Sequence, residues 1–479
     1  MTAPIKLDGE PSTVIARTSQ SLRDLIKVAS CIAVPLCVWL LPIAVQPNTK
    51  IAFVISSFMI VAWMTEIMDY SVTGLIGLMM FWVFGIATPE VIFSGFVNEA
   101  SWFYLGAMLI GAMATKSGLP QRIGNFVVSR VGVDYPRLLL GLIIINFLLT
   151  FIVPSGAAVL VIMASIILGV MKILDVKKGS NIARGMFLVI TYTTTIFNKM
   201  IISGTSTILA RGIIESTGGV AVAWGVWFAA FFPCAVVTIF ASWWFTLKLF
   251  PPEAESLAGR HEHIRAHFGV RVPWTLGAVK GTALCCLALG LWMTDWLHHI
   301  SPAIIAFALG LAAFLPFINA LEERDFRQIN YMPFFFVAAA LGMSEVMKST
   351  GGLTILADTL MTQMAPLLAD KLTAIVVLYW GGFFYHMAMA SEISMLVTSL
   401  PLLMEFSKAQ GLNPAWIGMI WSFSSGGKLF AYESAVLVLG YGYGYFGHTD
   451  LIKIGVLLTI TEFVVMAASI LLYWSFLGI

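Results

Sequence analysis

The chain has 479 residues, 59% hydrophobic and only 11% charged, with a formal net charge of +2 and a mean hydropathy of +0.91. Soluble domains carry about a quarter of their residues as charges, so these proportions exclude an ordinary water-soluble protein and assign most of the surface to lipid. The near-neutral balance offers no basic field for nucleic acid, and the absence of a GxxxxGK[ST] loop argues against an ATP-driven pump.

A membrane-spanning helix needs about 20 mostly apolar residues, because it rises 1.5 Å per residue through a hydrocarbon core of roughly 30 Å. In chain order such stretches fall at Ile26–Val45, Ile51–Met68, Val72–Ile86, Leu138–Val153, Ala157–Leu174, Trp224–Leu249, Leu276–Met293, Ile304–Ile318, Tyr331–Met347, Leu372–Met387 and Leu451–Leu472. The first follows a polar leader containing Arg17, Arg23 and Lys27 with no small-residue cleavage site, which reads as an uncleaved start with a cytoplasmic amino terminus. Glu66 and Asp69, in WMTEIMDYS, read as residues of a helix end outside any site. Cys31, Cys37, Cys234, Cys285 and Cys286 all lie in apolar runs, as lipid-facing or core residues rather than a disulfide or zinc framework.

The polar stretch Pro251–Trp274, with Arg260, His261, His263, Arg265 and His267, reads as a cytoplasmic linker between halves. Those halves echo each other. LGAMLIGAMATKSGL at Leu105–Leu119 is matched by AAALGMSEVMKSTGGL at Ala338–Leu353, and VPSGAAVLVIMAS around Ser155 by MASEISMLVTSLP around Ser391 at a similar offset. Many carriers are built from two related halves around a midplane site. The expected division is therefore 1–88 leader and scaffold, 89–250 first repeat, 251–274 linker and 275–479 second repeat.

Unpaired backbone is not tolerated in hydrocarbon, so broken helices at membrane depth survive only where protein or a water-filled cavity covers them. Four polar interruptions stand out: Pro154-Ser155-Gly156, the stretch Asn198 to Thr207, Ser391-Glu392 with Ser394, and Ser424-Ser425-Gly426-Gly427-Lys428 leading to Tyr432-Glu433-Ser434. Each would place helix ends and hydroxyls where an anion could be held; the plainer reading is close helix packing through small residues. Lys199, Arg211, His386, Glu392, Lys428 and Glu433 are ionisable groups in such places and functional candidates by default. Glu392 and Lys428 read either as a structural pair or as substrate and proton groups, with His386 near enough for a relay. The run GYGYGYF at Gly440–Phe446 contains the Gly-Tyr-Gly of potassium filters without the preceding Thr-Val, and reads as an aromatic interfacial loop.

TEIMDYSVTGLIGL at Thr65–Leu78, SWFYLGAMLIGAMATKSGLPQRIG at Ser101–Gly124, GSNIARGMFLVITY at Gly179–Tyr192 and FPPE at Phe250–Glu253 resemble the divalent-anion:sodium symporter family of the ion transporter superfamily. The resemblance implies an all-helical polytopic fold of two inverted repeats, about eleven spans and two re-entrant hairpins, a homodimer, and elevator-like movement in the inner membrane. It implies substrate contacts at Ser155, Gly156 and Ala157, at Gly204, Thr205, Ser206 and Thr207, at Ser391, Glu392, Ile393 and Ser394, and at Ala431, Glu433 and Ser434. The family's tips read Ser-Asn-Thr and its unwound helices Thr-Pro-Pro-Asn. Here both tips keep only serine, and the first unwound segment keeps Gly-Thr.

Loss of those side-chain oxygens weakens any sodium site, since a hard cation needs several oxygen ligands. Lys199 and Lys428 are gained, and the expectation is that one or both replace the sodium charge, with His386 and Glu392 as further coupling groups. The expected function is secondary transport or exchange of a small organic anion, a di- or tricarboxylate or a sulfonate, with no cofactor and with sodium or a proton as the candidate coupling ion. The alternatives are ordinary sodium- or proton-coupled dicarboxylate symport, a membrane-embedded enzyme using His386 and Glu392, and a sensor that binds without flux.

Overall fold

The computed structural model describes residues 11–131, 134–153, 155–202, 204–253, 268, 273–389 and 391–479. The linker residues Arg260, His261, His263, Arg265 and His267, and also Pro154 and Ser203, lie outside them. Among the described residues there is no strand, and nineteen helices have eight residues or more. They are α1 (Pro11–Leu40), α2 (Pro47–Thr65), α3 (Tyr70–Val83), α4 (Glu99–Lys116), α5 (Leu119–Val131), α6 (Tyr135–Thr150), α7 (Gly156–Leu174), α8 (Asn181–Met200), α9 (Thr205–Ser216) and α10 (Trp224–Leu249). The second half holds α11 (Leu276–Met293), α12 (Pro302–Ala312), α13 (Met332–Ser349), α14 (Gly352–Leu368), α15 (Lys371–Met389), α16 (Glu392–Ala409), α17 (Pro414–Ser424), α18 (Ala435–Gly442) and α19 (His448–Leu472). Among the described residues, seven helical stretches are long and apolar enough to cross a membrane, while Leu25–Leu40, Tyr70–Val83, Tyr135–Thr150 and Pro302–Ala312 are apolar but shorter.

Local chemistry sets the helix starts. Asp69 caps α3 by accepting from the Ser71 amide at 2.8 Å, and Ser180 caps α8 by accepting from Ala183 at 3.2 Å, the side-chain-to-amide bond that a helix start lacks within itself. Glycine lets helices approach closely: any Cβ on Gly106 of α4 would meet the backbone of Ala306 in α12.

At the centre runs α8, buried along nearly its whole length and packed on α6, α7, α10 and α18. A buried helix must satisfy its polar side chains locally. Thr191, Thr193 and Thr194 donate to carbonyls one turn back at 2.6 to 2.7 Å, and Asn146 of α6 donates to Thr193 and Thr194 at 2.8 and 2.9 Å.

The run Gly440–Phe446 is not wholly a loop. Its first residues end α18, Gly440 lies against Thr191, and Tyr445 stacks on Phe187 at 4.2 Å, so Gly440 serves helix contact and Tyr445 serves packing.

Candidate functional site

Four helix starts meet at one place. Ser155 opens α7 and accepts from the Ala158 amide at 3.3 Å. Ser391 opens α16 and accepts from Ser394 at 3.5 Å. Gly204 opens α9 after the break that follows α8, and Ser434 opens α18 after the break that follows α17, accepting from Val436 at 3.2 Å. The elements are interleaved: α7 packs on α18 and α9 on α16, so each helix opened by Ser155 or Ser391 meets a helix that resumes after a break.

Between these starts lies a cavity of about 640 Å³. It is lined by Ser155, Gly156, Ala157, Gly204, Thr205, Ser206, Ser391, Glu392, Ile393, Lys428, Glu433 and Ser434, which the sequence reading had named. The first turn of a helix leaves amides without intrahelical partners and carries a partial positive charge, so the wall suits an anion.

The first break is closed by neutral donors. The indole of Trp227 donates to the Lys199 carbonyl at 3.0 Å and that of Trp224 to the Ile202 carbonyl at 3.2 Å. Thr205 donates to the Tyr104 hydroxyl at 2.9 Å.

The second break is closed by charges. Lys199 donates to Glu392 Oε1 at 2.5 Å, to the Ser422 carbonyl at 2.9 Å and to Ser425 Oγ, which uses all three of its protons. Lys428 donates to the Ser425 carbonyl at 2.5 Å and stands 3.5 Å from Glu392 Oε2. Both ammonium groups therefore serve the carbonyl end of α17 and share one carboxylate. Glu433 Oε2 accepts from the amides of Leu429 and Phe430 at 2.6 and 3.2 Å, and the Tyr192 hydroxyl, which donates to the Leu451 carbonyl at 2.7 Å, also lies 3.3 Å from the Lys428 carbonyl.

Other candidates fall elsewhere. Lys199 sits behind Glu392 and does not line the cavity; with Thr207 it borders a small apolar void. The Thr207 hydroxyl turns back to the Gly204 carbonyl at 3.1 Å. Ser394 and Ala431 are also absent from the lining; Ser394 is buried one turn inside α16, and Ala431 opens the short helical turn before Glu433. Arg211 pairs with Glu215 at 2.9 Å and donates to the Val222 carbonyl. His386 is fully buried on α15 with Nε2 on the Glu433 carbonyl at 3.1 Å, away from the interfacial loop that an enzyme working at headgroups requires.

Glu66 corrects the sequence reading. It ends α2 as expected, with a left-handed φ of 51°, yet it lines the cavity with Tyr70, whose hydroxyl donates to Glu66 Oε1 at 2.6 Å. Hydropathy cannot show this, because it depends on where the corner between α2 and α3 meets the start of α16 at Ser391. Thr195, Asn198 and Tyr432 also line the cavity; Asn198 and Tyr432 stood within the flagged interruptions, and only the helical phase of α8 selects Thr195. Glu462 was missed. It is a carboxyl in the middle of the apolar run Leu451–Leu472, the one signal that could have found it.

The description "sodium:sulfate symporter transmembrane region" matches residues 22–479. A membrane protein of Cupriavidus necator is 24% identical over 445 residues, covering 88% of this chain and 87% of the relative. The citrate/succinate antiporter of Escherichia coli is 22% identical over 403 residues, 80% of each chain. The sodium-dependent dicarboxylate transporter SdcS of Staphylococcus aureus is 21% identical over 380 residues, 74% of this chain and 72% of that one.

Proposed function

Because the chain belongs to the sodium:sulfate symporter family, we propose that it is a secondary transporter or exchanger of small di- or tricarboxylates that works by alternating access and does not require sodium. The carrying observation is the convergence of four helix starts and the Lys428 ammonium on one cavity. Its volume falls within the roughly 300–1,000 Å³ of small-molecule sites, and relatives are named for citrate, succinate and dicarboxylates.

Lys428 is the substrate-facing cation in this reading, since it lines the cavity. Lys199 is the fixed one, enclosed by oxygens of Glu392, Ser422 and Ser425. A tethered ammonium cannot travel with the anion, so the carrier exchanges anions, facilitates them, or couples to a proton. The same reading takes the protein as an inner-membrane homodimer with a cytoplasmic amino terminus, eleven spans and two inverted repeats divided at the linker 251–274, moving as an elevator against a scaffold that includes 1–88. In support of the repeat, Ser155 and Ser391 cap equivalent helix starts, and the echoed Lys-Ser pairs both fall at helix ends.

The test is uptake of labelled succinate into proteoliposomes with external sodium or choline. Equal uptake is expected, and strict sodium dependence would sink the fixed-cation reading.

A further inference from the structure

Glu462 is 2% exposed near the middle of α19 and does not line the cavity. It faces the second break from behind: a Cβ on Gly426 would run into the Glu462 carboxyl, so glycine there lets carboxyl and backbone touch. Lys428, Lys199 and Glu392 are within Coulombic reach. From α10 the Cys234 thiol donates to the Glu462 carbonyl at 3.7 Å. From α15 the Tyr379 hydroxyl points to α19, donating to the Thr459 carbonyl at 3.2 Å. The short turn Trp474–Leu477, also packed on α19, contains no titratable side chain.

A carboxylate kept only as a counterion in so dry a place should have its oxygens bonded, as Glu392 has. Glu462 Oε1 is buried and has no hydrogen-bond partner. Its protonation state also decides a local charge. Protonation of Glu462 makes the cluster of Lys199, Lys428, Glu392 and Glu462, with Glu433 beside it at the cavity, one unit more positive.

We propose that Glu462 is a proton-binding site coupled to the anion cavity, taking up a proton as the anion binds and returning it to water on the other side as the anion leaves. This rests on the anion-transport reading above. Each ligand strengthens the other's binding, as linkage requires, because the proton adds the positive charge that the anion meets at Lys428. One proton then crosses with each anion, and no electron or bond is exchanged.

The test uses full-length protein in voltage-clamped proteoliposomes with succinate as probe, held above about pH 6.5 so that both carboxylates of the probe stay ionised. Wild type should concentrate succinate by about tenfold per unit of pH gradient, acid outside, and a pH dye should record proton entry with it. E462Q should still exchange succinate for succinate at equal pH while losing gradient-driven accumulation, and E462D should retain both. Wild type that exchanges succinate at equal pH but does not accumulate it against a pH gradient, or accumulates it without proton entry, would overturn the proposal, as would E462Q that accumulates like wild type. Wild type without any succinate exchange would instead overturn the substrate reading beneath it.

Discussion

The two breaks solve one problem with different chemistry. Interrupting a helix inside a membrane exposes carbonyls that need donors. After α8 the donors are the neutral indoles of Trp224 and Trp227. After α17 they are the ammonium groups of Lys199 and Lys428, with Glu433 accepting from the freed amides. A neutral clamp holds shape at one charge state, whereas a charged clamp ties the shape of the break to the charge of whatever enters the cavity. Under the transport reading proposed above, the asymmetry gives the first break an architectural role and the second a part in charge recognition.

The largest effect expected from this contrast is that of Lys199→Met. It leaves Glu392 buried with one cation and the Ser422 carbonyl without its ammonium donor, and breaking such a pair costs about 3–5 kcal/mol. Thermal unfolding in detergent should show the loss, and adding Glu392→Gln should recover part of it. An unchanged midpoint would mean that Lys199 is not a fixed structural charge.

Lys428→Met should act on binding more than on folding. A charge-assisted hydrogen bond is worth about 1.5–3 kcal/mol, so succinate affinity by calorimetry should fall by about one to two orders of magnitude. A change below about twofold would remove Lys428 from substrate recognition.

Smallest is Trp227→Phe, which leaves the Lys199 carbonyl without its indole donor at a cost of about 1–3 kcal/mol and little change in succinate affinity. An affinity loss as deep as that of Lys428→Met would break the contrast between the two breaks.

The sequence by itself determined the membrane class and the four interruptions, because hydropathy and backbone satisfaction are local properties of each segment. It also carried the family, through strings such as Ser101–Gly124 and Gly179–Tyr192. Most of the cavity wall was legible for the same reason, since helix starts are marked by Ser155, Gly204, Ser391 and Ser434 within otherwise apolar runs. Which ion meets which carboxylate was decided only by tertiary structure. Lys199 reaches Glu392, Ser422 and Ser425 from a helix distant in the chain, Glu66 enters the wall from the end of α2, and Glu462 meets Gly426 from a helix that begins well after the break. Such pairings follow from how helices distant in the chain cross one another, and no local pattern of polar and apolar residues encodes that geometry.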